Sequence, residues 1–209
     1  MPRALQCLTS AVYYEAGNEP DAGQRAVAQV VLNRVRHPAF PATVCGVVFQ
    51  GSDHPRCQFS FACDGAMART PAPAVWLRAR RVAARALTGE VFAPVGLATH
   101  YHTYAVTPSW NRGLVMTGVF GAHFFHRWKG WWGTPAAFRD RYMGGEPLPG
   151  PLQPPALPAA AIPSVTIPIA APPPPAPAAM ATPAAPAAPA LPADSQILDR
   201  WKDSGQPLR

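Results

Sequence analysis

The chain has 209 residues, of which 28 are proline and only 14% are charged. No stretch reaches the roughly 18 apolar residues that a membrane-spanning helix needs, so we expect no integral membrane segment. The net charge of +7 permits a polyanionic partner, but no dense basic run or nucleic-acid motif accompanies it, and we expect no nucleic-acid partner.

The composition divides the chain into three parts. Residues 1–145 mix aromatic, aliphatic and charged side chains, which predicts one globular domain with its own core. Residues 146–194 are almost entirely proline and alanine and contain no aromatic residue, which predicts a disordered linker of polyproline-II character. Residues 195–209 carry three apolar residues at helical spacing. This tail is predicted to be a short helix, a docking peptide for a protein partner, or a frayed end.

Four segments of the globular part show the apolar periodicity of helices. The first is expected to be capped by Gly17 and the last to end at Gly89, while Pro20 and Asp21 suit the first turn of the second. The predicted helices are residues 4–16, 18–38, 42–50 and 73–90.

Alternation of polar and apolar residues predicts the strands. Residues 98–104 and 121–127 alternate and are rich in aromatics. The segment "QFSFACDG" also alternates, which predicts a strand over 58–62. Gln58 and Ser60 would lie on its polar face, which could form the floor of a binding site. The fold class is therefore α+β, with several helices around a small antiparallel sheet, and without βαβ units or a phosphate-binding loop.

The even number of cysteines predicts two disulfides and an oxidising compartment. If residues 58–62 form a strand, Cys57 and Cys63 lie about 20 Å apart, at ~3.3 Å per residue. A disulfide tolerates about 7 Å between Cα atoms. We therefore expect pairs that reach Cys7 and Cys45, with free buried thiols as the alternative.

Glu15, in "YYEAGNEP", is the first candidate for chemistry. It lies in the last turn of the first predicted helix, where the negative end of the helix dipole disfavours a carboxylate anion. The flanking Tyr13 and Tyr14 would partly desolvate it. Both effects raise the pKa of a carboxyl group, as a proton donor at neutral pH requires. The alternative is an ordinary exposed glutamate.

Histidines and aromatics of the predicted strands form a second candidate group. Four histidines at 100, 102, 123 and 126 could bind zinc, but 123 and 126 point to opposite faces of a regular strand and no HExxH or CxxC motif is present. We expect no metal and no cofactor, and hydrogen-bonding or substrate-lining roles for His100 and His102. The aromatic set would suit a carbohydrate cleft, or simple core packing. Its members are Tyr101, Tyr104, Trp110, Trp128, Trp131 and Trp132.

Several long segments, in order, resemble the cell wall hydrolases related to the spore cortex-lytic enzyme SleB. They are "AVYYEAGNEPDAGQRAVAQVVLNRVRHPAFPATVCGVVFQ", "CQFSFACDG", "ATHYHTYAVTPSW" and "GAHFFHRW", within residues 4–128. The resemblance implies a compact lysozyme-like α+β domain that acts on peptidoglycan, with Glu15 as the single catalytic acid. The chain departs from the family pattern in having Gly17 where the family often has arginine, followed by Asn18 and Glu19.

The resemblance also implies a reaction and a set of contacts. The reaction is lytic transglycosylation between N-acetylmuramic acid and N-acetylglucosamine, giving 1,6-anhydromuramic acid ends. Asp64 would be the second carboxylate if the reaction were hydrolysis instead. We expect substrate contacts from Gln58, Ser60, Tyr101, His102 and Trp110.

The resemblance places the substrate outside the cytoplasm, so we expect the periplasm or the cell surface. The segment "MPRALQCLTSAVYYEAG" nevertheless lacks a signal-peptide pattern. Two other classes of function stay open: a non-catalytic wall-binding module, and a zinc-dependent amidase built on the histidines.

Overall fold

The structure is a computed structural model that describes residues 2–54 and 57–149. No helix among these residues is long and apolar enough to cross a membrane. The predictions for the linker beyond residue 149 and for the tail lie outside the described residues.

Four α-helices form where the periodicity predicts them. Pro20 directly precedes the second helix, Asp21 lies in its first turn, and Gly89 follows the fourth helix with a φ of 104° that only glycine adopts without strain. The first helix packs against each of the other three. The helices are α1 (Pro2–Ala16), α2 (Asp21–Val35), α3 (Val44–Val48) and α4 (Pro73–Leu87).

A three-stranded antiparallel sheet completes the domain and confirms the α+β prediction. Its strands β1 (His100–Thr103), β2 (Val115–Phe120) and β3 (His123–Arg127) lie in the order β1-β3-β2. The strands β1 and β3 were predicted, whereas β2 was not. It is an edge strand whose pairing is interrupted by a register shift between Met116 and Gly118, so its apolar residues do not alternate cleanly.

The core consists of two apolar clusters that meet at one residue. The first is built on fully buried residues of α1, α2 and α3, among them Leu8, Val12 and Val31. The second joins the other side of α2 to the sheet through Phe125, which is also fully buried. Tyr101 of β1 packs against both clusters, so its position depends on the docking of the sheet onto the helices.

The strand predicted over 58–62 is wrong. Phe59 is extended, but residues 60–62 form a single 3₁₀ turn. Phe59 and Phe61 are both buried while Gln58 and Ser60 are exposed. The alternation therefore matches the burial of residues 58–61, but a tight turn rather than a strand produces it, and Ala62 is buried as well.

The same turn explains why the predicted disulfide pairing is also wrong. The disulfides are Cys7–Cys45 and Cys57–Cys63, with Cα–Cα distances of 5.2 Å and 6.2 Å. A 3₁₀ turn rises only about 2 Å per residue and reverses the chain, so Cys57 and Cys63 come within disulfide range. The first bridge fastens α1 to α3, and the second closes the loop that contains the turn.

Glu146, predicted as the first residue of the linker, is held by the folded domain. Its two carboxylate oxygens accept hydrogen bonds from the backbone N–H groups of Val44 and Cys45, at 3.1 and 2.6 Å. These are unpaired donors at the first turn of α3, where a carboxylate is favoured. Leu148 and Pro149 also line a cavity beside α1, so contacts of the folded domain continue past the predicted boundary at 145.

Candidate functional site

Glu15 is positioned by the apolar stripe of α1. It follows Val12 by three residues and Leu8 by seven, so it lies at the edge of the face that the helix buries. The hydroxyl group of Tyr101 donates a hydrogen bond to Glu15 Oε2 at 3.0 Å. The end of α1 is thereby joined to the first strand of the sheet.

Arg34 brings a buried positive charge to the same place. Its Nε donates to the backbone oxygen of Thr99 at 2.6 Å, and its guanidinium lies over the rings of Phe40 and Phe59 at 5.2 and 5.3 Å. Burial lowers the pKa of Arg34 to about 10, while Tyr101 and Glu15 act in the opposite sense. The side chain therefore remains protonated at neutral pH.

The pKa of Glu15 is raised by these surroundings. Burial is the largest cause; the hydrogen bond from Tyr101 and the charge of Arg34 act against it, and the charge of Asp64 acts with it. Burial also raises the pKa of Tyr101 well above its ordinary value, so the phenol stays protonated and remains a donor. The site therefore favours a neutral Glu15 and still offers a donor and a cation to its carboxylate form.

Polar side chains on the buried face of α2 form hydrogen bonds with the end of α1 and with the segment that leads into β1. Asn33 donates to the backbone oxygens of Gly96 and Ala98 at 2.9 and 2.8 Å, and accepts from Gln29 at 3.1 Å. Gln24 donates to the backbone oxygens of Ala16 and Gly17, at the end of α1. These bonds pair buried polar side chains of α2 with backbone carbonyls of the neighbouring segments.

Glu15 opens into a cleft of about 580 Å³. Residues 13–19 form one wall. The other wall comprises Ala66, Arg69, Thr70, Ala72 and Val75.

The second wall is fixed to α1 by two tyrosines. The hydroxyl oxygen of Tyr13 accepts a hydrogen bond from the Ala72 N–H at 2.9 Å, and the ring of Tyr14 stacks on Phe61 at 4.8 Å. The Cys57–Cys63 bridge closes the same loop. The cleft is thus built from segments that are braced against each other.

Glu19 is a second carboxyl group that lines this cleft. Its Oε2 accepts a hydrogen bond from the Ala122 N–H at 2.8 Å, and its Oε1 lies 3.7 Å from His123 Nδ1. Gly121 has a φ of 61°, and a Cβ atom there would overlap the Glu19 carboxylate. Glycine is therefore required in this turn, which lets the β2–β3 hairpin dock on the α1–α2 loop.

The predicted substrate contacts do not lie together in the structure. Tyr101 lies against Glu15, whereas Gln58 and Ser60 are exposed and do not line the cleft within the described residues. Asp64 is also exposed, and its Oδ1 accepts a hydrogen bond from the Ala66 N–H at 2.8 Å, which holds the turn before Arg69.

His102 lies on the face of the sheet opposite to Tyr101, because adjacent residues of a strand point to opposite faces. Trp110 packs against that face from the 3₁₀ turn Ser109–Gly113. The ring of Trp110 lies 5.4 Å from His100, 5.6 Å from His102 and 5.8 Å from His126. His100 Nδ1 is hydrogen-bonded to Thr99 Oγ1 and His102 Nδ1 to Thr103 O, both at 2.9 Å. Burial, aided by the charge of Arg34, lowers the pKa of His100 to about 4. On this face the three histidine rings and the ring of Trp110 pack against one another.

The zinc alternative has no donor set in the part of the chain that the structure describes. No three His, Cys, Asp or Glu side chains among residues 2–54 and 57–149 are arranged to hold a metal ion. His123 and His126 point to opposite faces of β3, as their odd spacing predicts. His123 packs against Tyr101 and His126 against His102.

Arg34, Glu19 and Arg69 belong to the site but were not predicted to. Arg34 had a signal: it follows Val31 by three residues and Val30 by four, which places a charge on the buried face of α2. Glu19 was considered only as part of the family pattern. Arg69 had no signal, because it lies in an irregular segment between the misassigned turn and α4.

Removing the Tyr101 hydroxyl should shift the pH dependence of any reaction that uses Glu15 as an acid. The hydrogen bond favours the carboxylate, so Tyr101→Phe is expected to raise the Glu15 pKa further and to move the alkaline limb of the kcat/KM profile to higher pH. The maximal rate should fall about tenfold, as expected when one hydrogen bond to a charged group is lost. Tyr104→Phe, at a 75% exposed tyrosine, is the control. An alkaline limb that stays in place would contradict this role.

Comparison with known proteins identifies the family. The sequence pattern of the Hydrolase_2 family, described as Cell Wall Hydrolase, matches residues 18–126. Over 122 residues, the chain is 37% identical to the spore cortex-lytic enzyme of Halalkalibacterium halodurans and 33% identical to that of Bacillus subtilis. Each alignment covers 58% of this chain but only 34% and 36% of the relatives. The chain thus spans well under half the length of these relatives.

Two solved structures are similar to this chain at 34% identity. One is the catalytic domain of the Bacillus cereus SleB protein, with a TM-score of 0.50, covering 61% of this chain and 91% of that one. The other is the catalytic domain of the germination-specific lytic transglycosylase SleB from Bacillus anthracis, with a TM-score of 0.51, covering 61% and 96%. Since the family pattern matches more than half of its residues, the chain belongs to the cell wall hydrolase family.

Proposed function

We propose that this protein cleaves the glycan strands of peptidoglycan as a lytic transglycosylase, with Glu15 as its acid and base. One observation carries the proposal: a half-buried carboxyl group with a raised pKa opens into a cleft, with a phenol donor and a buried arginine beside it. The similarity to a SleB domain described as a lytic transglycosylase supports the same reaction.

In the first step, neutral Glu15 donates its proton to the glycosidic oxygen between N-acetylmuramic acid and N-acetylglucosamine. The bond from C1 of the muramic acid to that oxygen breaks, and positive charge develops on the sugar ring. The Glu15 carboxylate that remains is stabilised by the Tyr101 hydroxyl and by the charge of Arg34. Burial favours the acid before transfer, and these two groups support the anion after it.

In the second step, the 6-hydroxyl of the same muramic acid attacks C1. Its proton returns to the Glu15 carboxylate, and a 1,6-anhydro ring forms without the consumption of water. One carboxyl group therefore suffices for the whole cycle, whereas a glycosidase that uses water generally needs a second carboxyl at a defined distance.

Hydrolysis is the second candidate, because two further carboxyl groups lie near Glu15. The charge of Asp64 acts on the pKa of Glu15, and Glu19 lines the same cleft. Both are already engaged as hydrogen-bond acceptors, Asp64 with the Ala66 N–H and Glu19 with the Ala122 N–H. This engagement favours structural roles for both and leaves Glu15 to perform the chemistry.

Mass spectrometry of the fragments released from purified peptidoglycan separates the two reactions. Anhydromuramic acid ends from the wild type and from Asp64→Asn are the expected result. Reducing muramic acid ends would instead establish hydrolysis, and their loss in Asp64→Asn or Glu19→Gln would identify the second carboxyl. Binding to sacculi without any released fragment would favour the non-catalytic wall-binding module. The proposed substrate places the protein in the periplasm or at the cell surface.

A further inference from the structure

Arg69 is the one cation among the described residues that line the cleft. The two carboxyl groups that share the cleft with it already have partners: Glu15 accepts from Tyr101, and Glu19 accepts from Ala122. The guanidinium of Arg69 makes no ion pair or hydrogen bond with any residue in the described ranges. A donor-rich side chain thus faces the cleft with its binding capacity unused.

Arg69 has an exposed side chain, but hydrogen bonds hold the backbone on both sides of it. The preceding turn is closed by the Asp64–Ala66 hydrogen bond and begins at Gly65, whose φ is 79°. The following segment is tied to α1 by the hydrogen bond from Ala72 to the Tyr13 hydroxyl. Arg69 therefore extends from a fixed position on the wall that faces the Glu15 helix.

Peptidoglycan offers a matching anion. Each muramic acid bears a lactyl group, which ends in a carboxylate when it is free and in carboxylates of the stem peptide when it is substituted. A guanidinium binds a carboxylate through two parallel hydrogen bonds, a geometry that selects for this group as well as attracting its charge. Because this argument presumes a glycan in the cleft, it rests on the proposed function.

We propose that Arg69 makes the cleft selective for glycan strands whose muramic acid substituents carry a carboxylate. Arg69 binds the carboxylate of the substituent and does not contact the glycosidic oxygen. Arg69 therefore determines which strands bind, while Glu15 performs the cleavage. Neutral strands of the same backbone are poorer ligands because they offer Arg69 no charge-assisted hydrogen bond.

Equilibrium binding to the full chain carrying Glu15→Gln tests this selection without consuming the ligand. Three tetrasaccharides of alternating N-acetylglucosamine and N-acetylmuramic acid serve as probes: one with free lactyl carboxylates, one with those carboxylates converted to methylamides, and one with stem peptides. We expect at least one carboxylate-bearing probe to bind about tenfold more tightly than the neutral one, as a charge-assisted hydrogen-bonded pair at a partly exposed site would give. Which of the two binds tightly tells whether the lactyl or the peptide carboxylate is bound.

Adding Arg69→Gln should bring all three affinities to the level of the neutral probe, and Arg69→Lys should restore only part of the preference. Arg80→Gln, at an exposed arginine of α4 outside the cleft lining, should leave the preference intact. Equal affinities in the parent, no binding of any probe, or a preference that survives Arg69→Gln would each overturn the proposal. Fragment analysis of the wild type is independent of these affinities, so cleavage without selectivity would remove this inference alone.

Discussion

Glu15→Gln is expected to lower the release of peptidoglycan fragments by roughly 10²- to 10⁴-fold, the range that a positioned general acid contributes. The amide keeps the shape of the side chain and can still accept from Tyr101, but it cannot donate a proton to a glycosidic oxygen. The matched control is Glu90→Gln, whose carboxylate pairs with Arg25 at 2.9 Å and does not line the cleft. Full activity in Glu15→Gln would remove Glu15 from the mechanism.

The same variant should be more stable than the wild type at neutral and alkaline pH. Burial raises the pKa of Glu15, so the folded protein favours the neutral carboxyl. The stability linked to that proton is fully present below the unfolded-state pKa and is lost as pH rises through the folded-state pKa. Glutamine is neutral at every pH, so its advantage should vanish on acidification. Urea unfolding across a pH series measures the difference, and a variant that is less stable at neutral pH would contradict the assignment.

The second large effect concerns the disulfides. Replacing Cys7 and Cys45 together by alanine removes a bridge across 38 residues and should cost about 4 kcal/mol of unfolding free energy. Replacing Cys57 and Cys63, only six residues apart, should cost about 2 kcal/mol, since the entropy lost by the unfolded chain grows with the size of the closed loop. Urea unfolding of both double variants under oxidising conditions checks this order.

Activity should respond in the reverse order. The Cys57–Cys63 bridge closes the loop that leads to Ala66 and Arg69 in the cleft wall, whereas Cys7–Cys45 fastens α1 to α3 on the core side. At a temperature where both variants remain folded, loss of the Cys57–Cys63 bridge should therefore reduce cleavage more than loss of the Cys7–Cys45 bridge. Equal losses of activity would mean that the wall keeps its shape without its bridge.

The helices and two of the strands could be predicted because each has a long or clean period. Residues 21–35 carry an apolar stripe over four turns, and β3 is a short run rich in aromatic residues, which favour strands. By contrast, a few alternating residues around Phe59 and Phe61 fit a strand and a 3₁₀ turn equally well. Only tertiary packing decides between them: Phe61 contacts Tyr14 and Phe49, and Phe59 contacts Tyr101.

The sequence predicted the candidate acid, but it did not predict which side chains from other segments pack around that acid. Glu15 stands out by its position at the end of a helix. The strand period already separates Tyr101 from His102, so the expectation that both line one cleft conflicted with the predicted strand itself. The contributions of Arg34 and Arg69 depend on packing across segments distant in sequence, which no local pattern encodes.

The hydrogen bond between Tyr101 and Glu15 joins residues that are 86 positions apart, and this separation has a consequence for when the protein becomes active. Long-range contacts form only after the entropy of closing the intervening chain has been overcome. An incomplete or unfolded chain that contains α1 therefore carries an ordinary solvated glutamate. The acid acquires its altered proton affinity only when the sheet docks, so the lytic activity proposed here would be gained together with the completed fold.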